Sequence, residues 1–119
     1  MVMPMRVSRR HAGPRITLPT AAVLRLMLED PTTDHYGLAL AEASGFPSGT
    51  IYPILARLEA AGWLASFWED GDPSAMQRPR RRMYRLTGTG AHAAREALTN
   101  TQRLLGVLPP ATGPQVGTT

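Results

Sequence analysis

A chain of 119 residues, 43% hydrophobic and 18% charged, has the length and balance of one soluble domain; it leaves no room for a second core and holds no apolar run near the roughly 20 residues that span a bilayer. The absence of cysteine excludes a disulfide framework, a thiolate zinc site and a cysteine nucleophile, and is in keeping with a cytoplasmic protein. The net charge of +4 comes from thirteen basic residues against nine acids, and every basic residue is arginine, a planar fork able to hold a phosphate through two hydrogen bonds.

Residues 1–16 read as a flexible basic arm, with Arg6, Arg9, Arg10 and Arg15 and no acid, and no apolar stretch follows that would make a secretory leader. Thr17-Leu18-Pro19 offers a cap and a first-turn proline for a first helix, along which Val23, Leu26 and Met27 share a face before Glu29-Asp30-Pro31 stops it. Asp34 is placed to cap a short second helix aligning Tyr36, Leu40 and Ala43, and Gly45 ends it by taking a left-handed conformation. After Phe46-Pro47, Ser48 is expected to cap a third helix with the clearest apolar stripe in the chain, Ile51, Ile54, Leu55 and Leu58, closed by Gly62. Pro53 should bend that helix rather than break it.

The aromatic-rich run 63–68 reads as a strand and 83–86 as its antiparallel partner, joined by a long loop over 70–79 whose exit carries Arg78, Arg80, Arg81 and Arg82. Trp63, Phe67 and Trp68 are expected to pack in the core and hairpin. Thr87 then caps a last helix with Ala91, Ala94, Leu98, Thr101 and Leu105 on one stripe, and residues 109–119, rich in Pro, Gly and Thr, are expected to lack structure.

Three helices, a small β-hairpin and a final helix give a mostly α fold in winged helix-turn-helix order over 17–87, with a C-terminal helix over 88–108. In that arrangement the third helix enters the major groove and the hairpin follows the phosphates. With its apolar stripe inward, the third helix turns Gly49, Tyr52, Pro53 and Ala56 outward, with Thr50 and Arg57 at the flank. Thr50 and Tyr52 offer hydroxyls, Arg57 a fork, and the amides beside Ser48 can receive a phosphate oxygen. The face is nearly uncharged, so affinity must come from the Arg78 to Arg82 run and the arm.

The segments Tyr36-Gly37-Leu38-Ala39-Leu40-Ala41, Gly49-Thr50-Ile51-Tyr52-Pro53, Arg57-Leu58-Glu59 and Arg78-Pro79-Arg80-Arg81-Arg82-Met83-Tyr84 together resemble the PadR family of bacterial transcription regulators. The resemblance covers about residues 17–105 and is similar to the family's small branch, with one C-terminal helix. It implies a homodimeric repressor of double-stranded DNA, assembled by its last helix against the partner's first helix. It implies DNA contacts from Ser48, Thr50, Tyr52 and Arg57 and from Arg78, Arg80 and Arg81 in the wing, with Arg82 beside them. Leu38 stands where the family often has an aromatic, and Thr89 where Glu is common, which removes a carboxylate from the start of the last helix. The arm is longer than the family requires, and its charge leads us to expect Arg9, Arg10 and Arg15 along DNA, in the minor groove.

An enzyme is not indicated, because His11, His35 and His92 are scattered and no nucleophile, base and orienting group stand at workable spacing. Asp70 and Asp72 beside Gly71 lack the further ligands of a calcium loop, and no motif calls for a cofactor or identifies a small-molecule effector. The alternative to a DNA-binding regulator is a winged-helix adaptor that binds proteins through its acidic body.

Overall fold

The computed structural model describes residues 13–105, with side chains as far as Gln102. Its elements run α1 (Leu18–Leu28), β1 (His35–Tyr36), α2 (Gly37–Ser44), α3 (Ser48–Ala60), β2 (Leu64–Trp68), α4 (Pro73–Met76), β3 (Arg82–Leu86) and α5 (Gly88–Leu105). The architecture is mostly helical with a small antiparallel sheet, as the order of elements leads one to expect.

The helix starts follow local chemistry, with two departures from the sequence reading. Thr17 caps α1 as expected, its hydroxyl accepting from the Thr20 amide at 3.4 Å. At α3 the cap is Pro47, not Ser48. Its ring-fixed φ of −61° and extended ψ let its carbonyl accept from the Thr50 and Ile51 amides at 2.9 and 3.1 Å, and Ser48 becomes the first helical residue, exposed. Asp34 does not cap α2 either. Its carboxylate accepts from Arg85 Nε at 2.6 Å, while Tyr36 takes the cap position without a side-chain bond.

Residues 35–36 form a strand, so the expected two-stranded hairpin is a three-stranded sheet in the order β1-β3-β2. His35 faces Tyr84 and Tyr36 faces Met83 across β3, while β2 runs from Leu64 opposite Leu86 to Trp68 opposite Arg82. The connection between β2 and β3 is not all loop: Asp72 accepts from the Ser74 amide at 3.1 Å and starts the single turn of α4, which Gln77 ends at φ 60°.

The core is built by α1 and α3 against the root of the sheet. Val23, Leu24 and Met27 on one side and Ile51, Leu55 and Leu58 on the other are fully buried, each side chain removing apolar surface worth roughly 1.5–3 kcal/mol. Pro53 leaves α3 continuous; the carbonyl that loses its donor belongs to exposed Gly49, where water can replace the bond. Thr87 caps α5, accepting from the Gly90 amide at 2.9 Å and donating to the Gly62 carbonyl at 2.7 Å. Among the described residues no helix is long and apolar enough to cross a membrane.

Candidate nucleic-acid interface

Burying one face of α3 fixes what the other presents. Ser48, Gly49, Tyr52, Pro53, Ala56 and Arg57 are exposed and Thr50 is half-buried. Tyr52 keeps 39% of its surface and leans on Gly37 at the start of α2. A Cβ at position 37 would come within 2.8 Å of the Tyr52 ring and 3.2 Å of the Tyr84 ring, so glycine there lets two tyrosines close over the α2 terminus. Partial burial, with Tyr36 alongside, pushes the Tyr52 hydroxyl above its usual pKa, and it stays a neutral donor and acceptor.

The wing brings the arginines to the same place, and each is held differently. Arg82 donates to the Ser66 hydroxyl at 2.7 Å, and Ser66 donates to Glu59 Oε2 at 2.6 Å, a polar chain from wing to α3. The Arg82 guanidinium also covers Trp68 at 4.9 Å, Arg81 covers Tyr36 at 4.3 Å and Arg85 covers Phe67 at 5.4 Å. Arg78 is paired with Glu69 through both carboxylate oxygens. Glu69 also accepts from the Arg81 amide at 2.8 Å, and its own amide donates to the Arg81 carbonyl at 2.9 Å. Arg80 is exposed and donates through Nε to the Gly71 carbonyl at 2.7 Å.

These groups surround one cleft of about 370 Å³, lined by Tyr36, Tyr52 and residues 78–82. Its rim carries more fixed positive charge than any acid on it offsets. The hydrogen bond from Arg78 holds the Glu69 carboxyl below the usual range, with the Arg81 amide assisting. The bond from Arg85 does the same for Asp34.

A model of the transcriptional regulator PadR-like family matches residues 26–96. The chain belongs to that family. Among solved structures it is similar to a PadR family transcription regulator from Clostridium difficile, at 18% identity over 76% of this chain and 97% of that one, with a TM-score of 0.57. It is similar to a transcriptional regulator homologue from Pyrococcus horikoshii at 14% identity, 86% and 92% coverage and a TM-score of 0.62. The PcaV regulator from Streptomyces coelicolor, solved with its natural ligand, shares 29% identity over 78% of this chain and 63% of its own length, with a TM-score of 0.55. The PadR-like chain thus spans less than two thirds of some longer regulators that it matches. No curated protein matches it. PadR-like proteins are transcription regulators and not enzymes.

In the PadR-like chain, Tyr52 and Arg78, Arg80, Arg81 and Arg82 line the shared cleft, while Ser48, Thr50 and Arg57 lie on the same helix outside its lining. Arg57 enters none of the ion pairs found among the described residues, and its neighbour Glu59 is engaged by Ser66 instead. Trp63 is buried as expected, whereas Trp68 is 58% exposed beneath Arg82. Of the arm, Arg9 and Arg10 lie outside the described residues and Arg15 is exposed; Gly13, Pro14 and Ile16 line a recess with Trp63 and Ala97.

On α5, Ala94 is fully buried in the chain's own core and has no surface left for a partner. Ala91 and Leu98 are packed against that core. Thr101 is half-buried, its hydroxyl donating to the Ala97 carbonyl, and the Leu105 side chain is outside the described set. The sequence reading missed Glu69 and Gly37. Glu69, Asp70 and Asp72 all precede the arginine run across the hairpin, and that opposition of charge was the available signal for the first; Gly37 stands in a segment that carries the family resemblance, but no local pattern gave it a steric role.

Proposed function

We propose that this chain is a homodimeric, sequence-specific DNA-binding repressor that reads its operator with α3 and grips phosphates with the wing. The observation that carries the reading is the cleft in which exposed Tyr52 of the reading helix meets the arginines of the wing. Ser48, Thr50, Tyr52 and Arg57 supply short hydroxyls and one fork toward base edges. Arg80, Arg81 and Arg82 supply phosphate contacts, and Arg9, Arg10 and Arg15 extend them along the duplex. Repression follows from occupying the promoter and needs no chemistry.

The dimer places α5 against the first helix of the partner. A mostly apolar groove of about 270 Å³ lined by Leu18, Ala21, Ala22, Phe46 and Leu98, with Arg25 as its one charged residue, and with Leu18 75% exposed, supports that face. Two half-sites would then lie about 34–36 Å apart or at a multiple of that spacing.

The test is an anisotropy titration against a labelled duplex from upstream of the chain's own gene and a shuffled duplex, at low and moderate salt. A preference for the native duplex that survives added salt is expected, since non-specific phosphate binding fades steeply. Reversing Arg80 and Arg81 to Glu should abolish it. Binding to neither duplex at low salt would overturn the reading in favour of the protein-binding adaptor.

A further inference from the structure

The wing contains one acid that does not behave like a surface charge. Glu69 is the first residue beyond the last ladder pair, Trp68 with Arg82, and its side chain is only 20% exposed. Both oxygens engage the Arg78 guanidinium, one also takes the Arg81 amide, and its main chain bonds Arg81 again. The Arg78 head further donates to the Pro79 carbonyl at 3.2 Å. Both terminal nitrogens therefore point into the wing, toward a carboxylate that already supplies the geometry a phosphate would offer. Arg80 and Arg81 sit one step along the same rim, and neither head meets an acid among the described ion pairs.

We propose that Glu69 sets how much of the wing's charge DNA can use: it withholds Arg78 from phosphate while pinning the backbone that presents Arg80 and Arg81. Glu69 is thus a positioning residue for DNA binding, and Arg78 is part of its clasp rather than a phosphate contact. The inference rests on the DNA-binding reading above. It gives the wing a physical limit on non-specific affinity, because each additional arginine that reaches phosphate adds an increment that ignores sequence.

Salt dependence separates this role from simple support of the fold, since the slope of log affinity against log salt counts neutralised phosphates at about 0.9 each. Wild type, Glu69→Gln, the double variant Glu69→Gln with Arg78→Ala, and Arg80→Ala would be titrated against one mixed-sequence duplex. The glutamine keeps an oxygen for the Arg81 amide, so the wing closure survives. Glu69→Gln should steepen the slope by about 0.9 per binding wing and strengthen low-salt binding roughly threefold or more. The double variant should return to the wild-type slope, and Arg80→Ala should lose about 0.9 per wing. A Glu69→Gln slope equal to wild type, or a double variant that loses slope as Arg80→Ala does, would overturn the inference and make Arg78 an ordinary phosphate contact. Wild type that binds no duplex at low salt would overturn the DNA-binding reading, and this inference with it.

Discussion

Gly90 is the position where one added methyl group would do most damage. A Cβ there would fall 1.9 Å from the Trp63 carbonyl oxygen, and that oxygen cannot retreat, because it accepts from the Thr87 amide at 3.0 Å and lies 3.3 Å from the Thr87 hydroxyl. Gly88, two residues earlier, has open space around it. Gly90→Ala should therefore lower unfolding stability by about 2–3 kcal/mol or more, as overpacking against fixed atoms does. Gly88→Ala should leave it unchanged or raise it by up to about 1 kcal/mol, and denaturant unfolding of the two variants checks the contrast. In the sequence Thr87-Gly88-Thr89-Gly90 the two glycines are indistinguishable; the difference between them is a backbone more than twenty residues away, which no local pattern carries. Asp34 was misread for the same reason. An aspartate before an apolar helix is a good cap, and only the approach of Arg85 turns it into half of an ion pair.

The long elements were legible because burial repeats along them. Ile51, Ile54, Leu55 and Leu58 recur at helical spacing and are buried, so the outward face of α3 followed by subtraction. Residues 35–36 have too little length for any period and form a strand only because β3 offers them an edge. The turn α4 was different: Asp72-Pro73-Ser74 carries a cap and a first-turn proline, a readable start that the surrounding turn formers obscured. The wing also has a pH dependence of definite sign. Arg85 and Arg78 depress the carboxyls of Asp34 and Glu69, so the stability these groups contribute is complete above their unfolded pKa, about 4, and is lost as pH falls through the lower folded values. Thermal melts should show the midpoint dropping below about pH 4. A chain carrying Asp34→Asn and Glu69→Gln should melt lower at neutral pH and respond less to acid.

At the scale of the whole molecule the charge is divided, with arginines at the wing and in residues 1–15 around a body holding more acid than base. Removing residues 2–12 takes away Arg6, Arg9 and Arg10 yet spares Gly13 and Pro14 beside Trp63. If the arm follows DNA as proposed, this deletion flattens the salt slope by up to about 0.9 for each arginine lost per protomer; an unchanged slope would refute an arm on DNA. Leu18→Asp changes a side chain that is 75% exposed and should leave the fold intact while shifting light scattering from dimer to monomer at micromolar concentration. Persistence of the dimer would move the interface away from the groove between α1 and α5.

The contact between Gly90 and the Trp63 carbonyl has a mechanical consequence. Thr87 bonds to Gly62 and Trp63 on one side and to the first turn of α5 on the other, so the root of the wing and the start of the last helix are fastened into one joint. The wing is thus anchored on α5 at its root as well as on α3 through Arg82, Ser66 and Glu59. With β2 five residues long, its tip stands roughly 16 Å from that joint, so in the dimer proposed above each degree of tilt imposed on α5 would move the wing arginines by roughly 0.3 Å.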